Sequence, residues 1–118
     1  MAIPIVEISD DDFLYRRLSL DHFNPDNSVN SNAYKLNGKP DPQVSVDLSR
    51  LTSVWETLSR APGPQFKIGV LQAKDARALG LLVRHEPLDD NPAHSVIERN
   101  SSRSNCRDLA AKTWMAAF

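Results

Sequence analysis

Only four glycines occur in this 118-residue chain, and none are clustered, so no glycine-rich phosphate cradle exists. A single cysteine, Cys106, excludes an internal disulfide framework and fits a reducing compartment, which reads as cytoplasmic. No apolar run approaches the roughly 18 residues that cross a bilayer. The opening MAIPIVEISDDD lacks a basic stretch and turns acidic at once, so no signal peptide is expected. A net charge of −1 gives no overall attraction to nucleic acid or anionic lipid. GxSxG, HExxH, CxxC and protein-kinase signatures are all missing.

What remains is ordinary globular composition, with 41% hydrophobic and 25% charged residues, which predicts one domain over residues 1–118. The charge is uneven. Residues 1–59 hold nine acids against five bases, and residues 60–118 hold nine bases against six acids. The favoured reading of that asymmetry is a solvated surface.

FLYRRL (13–18) reads as a strand, with a helical turn starting at Ser19. Residues 24–43, rich in Asn, Asp, Gly and Pro, read as a long polar loop in which only SNAYKL has strand character. QVSVDL alternates cleanly, with Val44, Val46 and Leu48 on one face and Gln43, Ser45 and Asp47 on the other. LTSVWETLSRAPG predicts a short helix capped by Ser53 with Glu56 reaching back and stopped by APGP; Val54 and Leu58, with Trp55 beside them, form its apolar side. FKIGVL is a strand with Phe66, Ile68 and Val70 on one face. AKDARALG is a helix with Ala73, Ala76 and Leu79 inward and Gly80 as its stop. LLVRH and HSVIE are strands. Residues 102–118 predict a C-terminal helix with Cys106, Leu109, Ala110, Thr113, Trp114 and Ala117 inward. The expected fold is α+β: a single small domain with a mixed, mainly antiparallel sheet of about four to five strands, short helices and a C-terminal helix.

RHEPLDDNPAH (84–94) holds two histidines, but His85 and His94 lack the i, i+4 or knuckle spacing of zinc ligands. Asp89 and Asp90 do not build a calcium loop, so no metal is expected, and Asp-Asn-Pro predicts a turn between strands. Arg16 and Arg17 on a strand point to opposite faces, and Asp47 is the expected internal partner for one of them. Arg16, Arg17, Asp47, His85 and His94 are therefore the candidate polar cluster, with His94 expected near Arg17 or Asp47. Arg103 and Arg107, with Trp114, Met115 and Phe118, form a partly basic, apolar C-terminal candidate surface for another protein. Cys106 reads as a buried hydrophobe, and Ser31 and Ser45 have no histidine nearby in sequence.

The segments LYRRLSLDHF, NSNAYKL, VSVDLSRLTS and ARALGLLVRHEPLDDNPAH resemble a group of short bacterial proteins with no established activity. That resemblance (the LYRR, SVDL and NPAH pattern) covers most of the chain, to about residue 98, and implies a prokaryotic soluble protein. A second resemblance, to ADP-ribosyltransferase-like toxin domains, rests on residue type in order: an Arg or His on an early strand, then a Ser-containing strand, then a late Glu. It casts Arg16 or Arg17, Ser31 and Glu98 in those roles and implies action on NAD. Taken alone, the residues favour a small non-catalytic protein-interaction module, an accessory or regulatory subunit whose partner is another protein. Self-association is compatible with this reading, while a cofactor, nucleic acid and a membrane are not expected. An NAD-hydrolysing or ADP-ribosyl-transferring domain is the alternative.

Overall fold

The computed structural model describes residues 3–60 and 67–116. Strand β1 (Phe13–Leu18) sends Leu14 and Leu18 into the interior. A 3-10 turn, Leu20–His22, follows. SNAYKL departs from the strand expectation. Ser31–Tyr34 is a 3-10 turn started by the Asn30 side chain, which accepts from the Asn32 amide. Only Lys35–Leu36 (β2) is extended, and it pairs with Lys39–Pro40 (β3). Asn37 and Gly38, at φ 54° and 77°, make the two-residue hairpin turn, so the NG of KLNGKP carried a signal inside the expected loop.

Strand β4 (Gln43–Leu48) buries Val44, Val46 and Leu48, as its alternation predicts. Helix α1 (Val54–Ser59) is capped by Ser53, whose Oγ accepts from the Glu56 amide. Its buried residue is Thr57, while Val54 and Leu58 are half-buried. Trp55, expected beside them on the apolar side, is instead 67% exposed, because the helix turns the Thr57 hydroxyl toward the sheet. The expected APGP stop and Phe66 lie outside the described residues. Strand β5 (Lys67–Gln72) and helix α2 (Ala73–Arg77) follow, and Gly80 at φ 82° ends that turn as expected. Strands β6 (Leu82–His85) and β7 (His94–Glu98) flank the expected turn, in which Leu88 and Asn91 exchange backbone hydrogen bonds.

Helix α3 (Arg103–Lys112) is shorter than the 102–118 helix expected. It stops because Thr113 turns extended, donating its hydroxyl to the Leu109 carbonyl and meeting the Tyr34 hydroxyl at 2.5 Å. Trp114–Met115 then form β8 against β5, so these residues complete a sheet edge rather than a helix face. Among the described residues the sheet has six strands in the order β6-β7-β4-β1-β5-β8, more than expected. Every pairing among the described residues is antiparallel, so the mixed sheet was not needed.

One face of this sheet carries Leu14, Leu18, Val44, Leu48, Leu71, Val83 and Ile97. It packs under α2, α3 and Tyr34 as the hydrophobic core. Cys106 sits there fully buried, its Sγ–H donating to the Tyr34 carbonyl. The opposite face carries Tyr15, Arg17, Ser45, Asp47 and His94, with α1 packed over part of it. Among the described residues no helix is long and apolar enough to cross a membrane.

Candidate functional site

The sheet has a break at its centre. Pairing between β1 and β4 is limited to Leu14 with Leu48 and Tyr15 with Asp47, whereas β1 pairs β5 along all six residues. Where the β1–β4 ladder stops, the Arg16 guanidinium takes its place. Nη1 donates to the Ser45 carbonyl at 2.8 Å, and Nε and Nη2 donate to the Ala33 carbonyl at 3.2 and 3.1 Å. Among the described residues no carboxylate lies within ion-pair distance of it. Burial holds the Arg16 pKa below its ordinary value, opposed by Tyr34 and Asp41 and assisted by Arg17.

Arg17 points to the other face, as alternation requires, and lines a pocket of about 250 Å³ with Tyr15, Ser45, Asp47 and His94. Among the described residues Arg17 makes no hydrogen bond or ion pair. Arg16 and His22 reach the same pocket from the break. His22 accepts from the Ser19 amide through Nδ1, which leaves its other ring nitrogen as the N–H of the neutral ring. Burial lowers the His22 pKa, Asp21 raises it, and Arg16 lowers it further; the net direction is down.

Asp47 does not pair with Arg16 or Arg17, as the sequence suggested. Its carboxylate accepts from Arg60 Nη1 at 2.9 Å, Thr57 Oγ1 at 2.8 Å and Asn91 Nδ2 at 2.8 Å. Helix α1 delivers two of these donors from the pocket side, whereas Arg16 is turned to the core face and its N–H groups are spent on carbonyls. His94 lies directly opposite Asp47 in the β4–β7 ladder. Its Nδ1 contacts the Glu86 carbonyl oxygen at 2.9 Å and its Nε2 contacts Ser45 Oγ at 3.3 Å. The carbonyl accepts only, so the proton sits on Nδ1, and Nε2 offers a lone pair to the Ser45 hydroxyl.

His85 leaves the expected cluster. It alternates to the core face, 3% exposed, where Nδ1 accepts from the Val6 amide and Nε2 donates to the Pro92 carbonyl. It ties Val6 to the 84–94 turn. The trio Arg17, Ser31 and Glu98 is joined by no hydrogen bond or ion pair among the described residues. Ser31 lines a separate groove and Glu98 is ion-paired with Arg84. The serine in the pocket is Ser45. Tyr15, His22, Asn91 and Thr57 also belong to the pocket and were not singled out as site residues by sequence, since a strand, a 3-10 turn, a loop and a helix bring them together only in the folded chain.

The separate groove, about 670 Å³, runs between residues 24–31 and the end of α3. Arg107, Trp114 and Met115 line it, while Arg103 is exposed and off its lining and Phe118 lies outside the described residues. Trp114 is 47% exposed and packs edge-on against Phe13. Among the described residues no three His, Cys, Asp or Glu side chains converge as metal ligands. No family model, curated protein or solved structure matches the chain.

Proposed function

We propose that the pocket at the β1–β4 break binds a phosphate-bearing nucleotide of the NAD class. One observation carries this reading. Among the described residues Arg17 makes no hydrogen bond or ion pair, and beside it Arg16 has no carboxylate within ion-pair distance, in a pocket that supplies further N–H and O–H donors. A half-buried guanidinium without a counter-charge is costly, and a planar fork matches phosphate oxygens. Of the resemblance to ADP-ribosyltransferase-like domains, an Arg-bearing strand beside a Ser-bearing strand fits this pocket, while Glu98, cast as the late acid, lies off its lining in an ion pair with Arg84. Ser45 then takes the role first given to Ser31. Calorimetric titration with NAD and ADP-ribose tests the reading. Binding is expected, weakened about 10- to 100-fold by Arg17→Ala. Absence of binding, or binding indifferent to Arg17, would sink it.

A second reading, a protein-interaction module, draws on the groove that unites the polar 24–31 segment with Arg107, Trp114 and Met115. Since the Ala116 amide donates to the Ile68 carbonyl, alternation turns the Met115 backbone away from β5, toward a partner's extended strand. Sedimentation of an isolated complex, disrupted by Trp114→Ala, is the measurement that favours it.

A further inference from the structure

We infer that Ser45 and His94 act as a nucleophile–base pair on the ribosyl carbon of an N-ribosyl pyridinium dinucleotide. The inference rests on the nucleotide reading above and assigns its chemistry.

Ser45 and His94 share one face of adjacent strands, each diagonal to the other in the β4–β7 register. The Glu86 carbonyl fixes the His94 tautomer from behind, so the Nε2 lone pair is directed at Ser45 Oγ, 3.3 Å away. Nucleophile, base and an orienting acceptor are thereby connected through one imidazole, at a distance typical of an unliganded site. The Glu86 carboxylate, 3.6 Å from Nδ1, faces the imidazolium that forms when the proton arrives. Arg16 holds the Ser45 carbonyl, which fixes the strand beneath the hydroxyl.

The neighbouring groups select the leaving group. Asp47, a carboxylate lining the pocket, has its oxygens occupied by Thr57, Arg60 and Asn91, so it is not placed to hand a proton to a leaving group. A pyridinium leaves as a neutral ring and needs none. Tyr15 lines the same pocket and suits a cationic ring, while Arg17 suits the phosphates.

In the first step the Ser45 Oγ–C1′ bond forms and the C1′–N bond breaks, its electron pair going to the ring nitrogen. The hydroxyl proton passes to His94 Nε2. In the second step water attacks C1′ and the C1′–Oγ bond breaks. His94 returns its proton to Ser45, and the water's proton goes to solvent.

The test incubates the full chain with NAD, following nicotinamide release by chromatography and quenching samples in acid for peptide mass mapping. Nicotinamide release is expected, with an ADP-ribosyl mass on Ser45. Ser45→Ala and His94→Gln should lower release about 100-fold or more while circular dichroism and calorimetric NAD binding persist. Release by Ser45→Ala at the unsubstituted rate, or an unmodified Ser45 during turnover, overturns the inference. Arg17-dependent NAD binding without release also overturns it and leaves the nucleotide reading standing. No NAD binding at all overturns both.

Discussion

Asp47 shows how one buried carboxylate shapes a site without doing chemistry in it. At 3% exposure it gathers a guanidinium, a hydroxyl and an amide, which ties helix α1 and the 84–94 turn to the same strand. Asp47→Ala strands those donors and should cost about 2–3 kcal/mol, less than a fully buried pair because Arg60 is partly solvated; chemical denaturation measures it. His22 adds a pH dependence whose sign follows from its environment. Burial, reinforced by Arg16 against Asp21, holds its folded pKa below the ordinary imidazole value of about 6.5. The unfolded chain therefore binds a proton at higher pH than the folded chain does. The contribution is complete above that ordinary value and is lost as pH falls through the lower folded one. The melting temperature should drop between pH 7 and pH 5, and His22→Gln should flatten part of that drop.

Among the elements, β8 is the least expected and the most delicate. It seats against Gly69, where an added Cβ would stand 2.7 Å from both Leu18 Cδ1 and Thr113 Cγ2. Gly69→Ala should destabilise by about 1–3 kcal/mol and loosen Trp114 from Phe13, a change visible in tryptophan fluorescence. In sequence, AAKTWM continues a helical pattern, and nothing local reveals that β5 has an open edge to fill. Val44, Val46 and Leu48 were legible because their alternation is contained in six residues. The Ser45–His94 contact was not, since 49 residues separate its members and only the order of strands joins them. Asp47 was expected to partner Arg16 or Arg17, but Arg60, at the end of α1 folded back over the sheet, takes it instead. The histidines at 85 and 94 separated for the simplest reason: the pairing of His85 with Ser95 puts His85 and His94 on opposite faces.

Across the whole molecule the two faces of the sheet divide the labour. The dry face, built on Leu14, Leu109, Tyr34 and Ile97, holds the fold, and Leu109→Ala should cost about 2–5 kcal/mol. On the wet face Arg17 makes no hydrogen bond or ion pair among the described residues. Arg17→Ala should therefore leave the melting temperature unchanged or raise it, while removing nucleotide affinity, as is common where function and stability compete. Thermal scans of the two variants side by side separate these roles.

The break between β1 and β4 has a further consequence. The six strands are in effect two three-stranded plates, β6-β7-β4 and β1-β5-β8, stitched by two residue pairs and one guanidinium. Central strands are usually the slowest part of a sheet to exchange their amide protons with solvent. Here the slow amides should lie within each plate, and the seam between them should exchange early. A ligand spanning Arg17 and His94 would rivet the plates together, so slowed exchange along that seam would register occupancy even where no reaction follows.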